Sequence, residues 1–432
     1  MTTTIKRVVL YLTAGMLLCG IALWRFLPSS TIDVTLMGPI EMADGIGRQL
    51  VELASILQDD FSLQILPNHI AKEGVPPQIF KHVDLKTQTA KGKIVITENS
   101  LWDPGESPSK PFRTITNDHQ IRIAYSMLEY TRIPTEWALK LNLYYDMVVV
   151  PDAFLVDVYQ KSGVTIPIFT LPLGRDLQAF LQKPLKQQRG PVMTFANLST
   201  ALDRKNQLTL IRAFAKALGH TPDARLIINY RSGDDKIKET LTKEIEKLHA
   251  PNIYITPFRL KDDAYKKLWD SIDCYVSLSK GEGFSIQPRE AMALGIPVIV
   301  TDNTAQSTIC QSGLVLSVPS LQTEQAFYCK QRIPNGFQFA CTVDEAAKAL
   351  LDMYHNYDSY LQKGTLARQW AAAYDYKNPS LQACYKNLVS PKKIILGDRN
   401  LLETNFIMTT SRELYNKYAA LFPTCEASLA HP

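Results

Sequence analysis

The chain has 432 residues, 46 % apolar and 21 % charged, ordinary values for a globular protein long enough for two or three cored domains. Its 47 basic and 42 acidic residues leave a net charge of +5, and the basic ones are scattered, which excludes a dedicated nucleic-acid binder. Seven cysteines are too sparse for a disulfide scaffold, none has zinc-ligand spacing, and no Asp-x-Asp occurs, so no metal is expected.

Val8–Trp24 is an uncharged 17-residue run between Lys6-Arg7 and Arg25. At 1.5 Å per residue it is roughly 26 Å long, just short of a typical hydrocarbon core. A cleaved signal peptide is the rival to an uncleaved anchor, but no convincing cleavage site follows the run. Residues 1–30 are therefore expected to be a membrane anchor and tether. Lys6-Arg7 would keep the N-terminus cytoplasmic and send the rest across. That would part the protein from cytosolic metabolites, so the side of the membrane stays open.

Residues 31–181 read as a first α/β domain. Ile32–Met37 is strand-like and runs into Gly45-Ile46-Gly47-Arg48. Leu50, Leu53, Ala54 and Leu57 then recur at helical spacing. A strand, a Gly loop and a helix start expose free N–H groups suited to an anion, although a plain turn reads as well. His119 precedes the strand Ile121–Tyr125, as a cleft residue or a solvated loop histidine. Glu129 lies in Glu129-Tyr130-Thr131-Arg132-Ile133-Pro134, ahead of the buried strand Met147–Val150. It reads either as a cleft carboxylate or as half of an ion pair with Arg132.

Gln182–Pro191 is polar and marked by Pro and Gly, a linker. Residues 192–388 then alternate strand and helix again: strand Val192–Ala196, helix Lys205–Leu218, strand Leu226–Tyr230, helix Asp235–His249 and strand Ile253–Thr256. That alternation implies a parallel sheet with helices on both faces. Arg204-Lys205 at the start of the first helix opposes its dipole, which suggests an anion to be held.

After the strand Cys274–Leu278 comes Gly281-Glu282-Gly283-Phe284-Ser285-Ile286-Gln287-Pro288-Arg289-Glu290. Pro288 suits a first helical turn, and Gly295 with Pro297 suits its end. Glu282 in the loop and Glu290 in the first turn sit eight residues apart. Carboxylates accept hydrogen bonds from hydroxyls, so the pair suits a ligand with a central phosphate and hydroxyls at both ends. A dipole partner and a solvated loop Glu are the bland alternatives. Asp302–Ala340 reads as an irregular insertion over the pocket, with Cys329 and Cys341 paired or free. Thr342-Val343-Asp344-Glu345 is a capping box.

The joint pattern resembles the Glu-x7-Glu signature of retaining glycosyltransferases of the GT-B fold, glycosyltransferase family 4 (group 1). The Glu129–Trp137 stretch and Leu171–Asp176 resemble the same family. The resemblance implies an α/β chain with two Rossmann-like domains facing a central cleft. It also implies that residues 389–432 form a tail whose helix, over Glu403–Leu421, crosses back onto the first domain. By resemblance Glu282 contacts the donor sugar and Glu290 the ribose of a nucleotide sugar. Lys205 and Arg204 grip the diphosphate without metal or cofactor. Gly281, Gly283, Phe284 and Ser285 shape the donor pocket, where the family has Gly in place of Ser285. Gly45 and Gly47 lie near the donor phosphates, and Glu129 and His119 on the acceptor side. The expected partners are a nucleotide-sugar donor, a glycan or lipid-linked acceptor and, through the N-terminal helix, a membrane. A sugar-nucleotide epimerase of the same fold and a non-catalytic carbohydrate-binding protein are the other classes compatible with the pattern.

Overall fold

The computed structural model describes residues 31–42, 45–87, 89–98, 116, 120–230, 232–256, 260, 262–328 and 333–389. The expected anchor, His119, Cys329 and the tail helix lie outside them. No helix among the described residues is long and apolar enough to cross a membrane.

Two six-stranded sheets organise the chain. The first comprises β1 (Val34–Ile40), β2 (Leu63–Ile70), β3 (Ile94–Glu98), β4 (Ile121–Tyr125), β5 (Met147–Val150) and β6 (Ile168–Thr170), in the order β2-β1-β3-β4-β5-β6. The second comprises β7 (Met193–Leu198), β8 (Ala224–Asn229), β9 (Ile253–Thr256), β10 (Cys274–Ser277), β11 (Val298–Thr301) and β12 (Leu316–Val318), in the order β12-β11-β10-β7-β8-β9. Every pairing within both sheets is parallel. Runs such as Met-Val-Val-Val in β5 are buried along their whole length, as strands covered by helices on both faces must be.

Each sheet has a switch point where the strand order reverses, and ligands of open α/β sheets bind outside such points. In the first sheet it lies between β1 and β3, where helix Gly45–Leu57 begins. In the second it lies between β7 and β10, which are followed by Arg204-Lys205 and by Glu282.

The helix Gly45–Leu57 buries Leu50, Leu53, Ala54 and Leu57, the apolar face expected from their spacing. Helix Pro379–Val389, assigned with the second domain by position in the sequence, instead packs on Gly45–Leu57. Its Tyr385 hydroxyl lies 3.0 Å from that of Tyr125 and accepts from the Gly174 amide at 3.1 Å.

The described residues of Asp302–Ala340 form regular elements rather than an irregular insertion. Helix Thr304–Gln311 and β12 are followed by an antiparallel hairpin, β13 (Gln322–Tyr328) and β14 (Ile333–Ala340). The hairpin reaches the first domain: the Thr131 amide donates to the Phe337 carbonyl at 3.1 Å, and the Asn335 amide group to the Arg132 carbonyl at 2.6 Å. Cys341 at its end is a buried free thiol, so no Cys329–Cys341 pair forms. The capping box forms as expected: the Thr342 hydroxyl accepts from the Glu345 amide and the Glu345 carboxylate from the Thr342 amide.

Candidate functional site

The loop after β10 and helix Ile286–Ala293 carry both predicted acids. Because the helix starts at Ile286, Glu290 is its fifth residue and lies beyond the first turn, so it is not a dipole partner. Its carboxylate is 1 % exposed and faces the first domain. One oxygen accepts from Arg48 Nη1 at 3.1 Å, the other from the Tyr265 hydroxyl at 2.6 Å. Gly295 has φ +70° just past the helix end, as a left-handed terminator requires.

Ser285, which stands where the family has Gly, takes φ 64°, a conformation rare for any residue with a Cβ. Its hydroxyl accepts from Gln306 Nε2 at 3.1 Å. Arg289 lies wholly buried over the ring of Phe284, 3.8 Å from its centroid, and donates to the Ser285 carbonyl at 3.0 Å. It fastens the loop from beneath.

Arg204 and Lys205 do not open a helix. They occupy a 3-10 turn, Asp203–Lys205, and left-handed Asn206 separates it from helix Gln207–Leu218. The turn aims both cations at Glu282. Lys205 Nζ is 2.5 Å from Oε1 and Arg204 Nη1 is 3.1 Å from Oε2. Arg204 Nη2 also reaches Glu129 Oε1 at 2.9 Å, across the cleft. Glu129 therefore pairs with Arg204 rather than Arg132.

Burial would raise the Glu282 carboxyl, but Lys205 and Arg204 pull it down to about 2. Burial lowers the Lys205 ammonium, and Glu282 offsets this only in part because Arg204 repels the same charge. Against burial, Glu129 and Glu282 hold the Arg204 guanidinium above its usual range.

Two cavities open along the cleft. The first, about 260 Å³, is lined by Arg48, Tyr265 and Glu290 together with Phe180, Leu198 and Asn229. The second, about 440 Å³, is lined by Glu129, Trp137, Arg204, Lys205, Glu282, Gly283, Phe284 and Ser285. Gly45, Ile286 and Gln287 line both, so Lys205 and Glu290 face adjoining compartments rather than one. Gly47 packs where an added Cβ would meet Glu41 at 2.8 Å, and Gly281 against the Glu129 carbonyl. Sequence reasoning did not single out Arg48, Tyr265, Arg289 or Thr304. The Thr304 hydroxyl accepts from the Glu282 amide at 2.8 Å. Only Arg48 carried a local signal, as the residue following the Gly loop.

Residues 181–362 match the family model for glycosyl transferases group 1. An uncharacterized glycosyltransferase of Methanocaldococcus jannaschii is 33 % identical over 131 residues, 29 % of this chain and 31 % of its own length. The match thus spans about a third of that curated relative. HepE of Anabaena, solved with UDP and glucose, superposes with a TM-score of 0.60 over 83 % of this chain and 99 % of its own, at 12 % identity. A glycosyltransferase of Rickettsia africae gives 0.57 over 85 % of this chain and 99 % of its own, at 15 % identity. Residues 181–362 are thus a group 1 glycosyl transferase domain, set in a chain with the two-domain GT-B fold.

Proposed function

We propose that the chain is a retaining, metal-independent glycosyltransferase that moves a sugar from a nucleotide-sugar donor to a glycan or lipid-linked acceptor. The observation that carries this reading is the convergence of Lys205 and Arg204 on Glu282 beside the cavity that holds Glu290. The nucleoside enters the smaller cavity, where the ribose hydroxyls donate to Glu290 and the base rests against Phe180 and Leu198. Uridine is the first base to test, since HepE was solved with UDP.

The sugar lies in the larger cavity, its hydroxyls on Glu282. Lys205 and Arg204 meet the negative charge that grows on the departing diphosphate, a water-excluded electrostatic role that is commonly the largest contribution to such catalysis. The acceptor approaches from the side of Glu129 and Trp137. Retention rests on the resemblance to family 4. The N-terminal apolar run is proposed to hold the enzyme at a membrane, next to a lipid-linked acceptor.

Glu290→Ala and Lys205→Ala test the assignment in a radiolabelled-donor assay with and without acceptor and with chelator. Each should remove acceptor-dependent transfer by two orders of magnitude or more, on the order of 3 kcal/mol of transition-state stabilisation, without unfolding the protein. Full transfer in both variants would overturn it.

A further inference from the structure

Four of the described cations at the cleft are each matched by a carboxylate. Arg204 and Lys205 face Glu129 and Glu282. Arg48 and Arg175 face Glu52 and Glu290. A diphosphate brings negative charge beside these pairs and competes with the carboxylates for their cations. Glu290 is the carboxylate best placed to let go, because ribose hydroxyls can donate to it in place of Arg48.

The position of Arg48 decides where the released charge goes. It lies three residues after Gly45 on helix Gly45–Leu57, on the same face one turn on. Gly45 belongs to the partition shared by the two cavities. A donor with its ribose at Glu290 and its sugar at Glu282 has to run its diphosphate across that partition. The Arg48 side chain is still 19 % exposed there, while Glu290 beside it is 1 % exposed. Guanidinium groups are the side chains best matched to phosphate oxygens, and the amide groups at the start of the same helix add to the attraction.

We propose that Arg48 is a diphosphate ligand supplied by the first domain, parked on Glu290 in the empty cleft and transferred to the phosphates when the ribose takes its place. The inference rests on the donor placement proposed above.

Calorimetric titration tests it with UDP, GDP and ADP and with the matching free nucleosides, on wild type, Arg48→Gln, Arg48→Lys and Lys205→Ala. Melting curves confirm that each variant is folded. Arg48→Gln should bind the preferred diphosphate roughly 10- to 100-fold more weakly, the value of one charge-assisted hydrogen-bonded contact. The same variant should bind the free nucleoside as well as wild type or better, because Glu290 has lost its competitor. Arg48→Lys should keep most of the diphosphate affinity. Unchanged or tighter diphosphate binding by folded Arg48→Gln, or an equal loss for nucleoside and diphosphate, overturns the role. If Lys205→Ala weakens diphosphate binding while Arg48→Gln does not, the donor site stands and only this inference fails. A wild type that binds none of the three diphosphates defeats both.

Discussion

A methyl group at the Gly281 α-carbon would overlap the carbonyl oxygen of Glu129, so the signature loop of the second domain rests on the backbone of the first. Nothing but glycine permits that approach. Gly281→Ala should therefore push the domains apart and cost about 1–3 kcal/mol, the usual range for overpacking. At Gly283 an added Cβ would stand 3.3 Å from Met127 Sδ, a flexible neighbour that can yield. Gly283→Ala should cost under about 1 kcal/mol. Urea unfolding of the two variants checks the ranking, and equal losses would contradict the seam described here.

Ser285 holds φ 64° and is compensated by its hydrogen bond from Gln306. Ser285→Gly removes a strain of about 1–3 kcal/mol and leaves Gln306 Nε2 bonded to Ser277 Oγ at 2.7 Å. Ser285→Ala keeps the strain and loses the bond. The Gly variant should be the more stable of the two by about 1 kcal/mol or more. Denaturation midpoints in the opposite order would show that Ser285 is not strained.

The Glu282 carboxyl is held at about 2 against an ordinary 4.5, with burial opposing and Lys205 and Arg204 prevailing. A lowered folded-state value means stability that is present above pH 4.5 and lost as the pH falls towards 2. The loss is on the order of 3 kcal/mol. In Glu282→Gln the decline between pH 4.5 and 2 should flatten, while stability at pH 7 drops because Lys205 loses its carboxylate and Arg204 one of its two. A wild-type acid limb as flat as that of the variant would rule the ion pair out as its source.

Glu98 behaves in the opposite way. Burial, reinforced by Glu52, pushes its carboxyl well above the usual range despite Arg175. A raised folded-state value gives stability that is whole below pH 4.5 and lost as the pH rises through the folded value. Glu98→Gln should thus gain on wild type between pH 5 and 8, read by chemical denaturation at both ends. A constant difference across that range would mean that Glu98 is charged in the folded protein.

Much of the fold was legible in the sequence because its signals are short-range. The apolar face Leu50–Leu57, the Thr342–Glu345 capping box and the Gly295 terminator each depend on residues within a few positions. The hairpin was not legible. Its β14 segment, Ile333–Ala340, contains Pro334 and Gly336, which read as turn residues. It is held by contacts far along the chain, such as the Phe339 amide on the Lys280 carbonyl at 2.8 Å.

The sequence by itself marked most strands and helices of the two sheets and singled out two acids and two cations as candidates, since spacing along strand, loop and helix is written locally. Only the tertiary structure decided how the charges pair. Arg48 meets Glu290 from 242 residues away, and Glu129 meets Arg204 across 75. Such pairs arise because two switch points are pressed together, and no local period in the chain records which side chains will then be buried face to face.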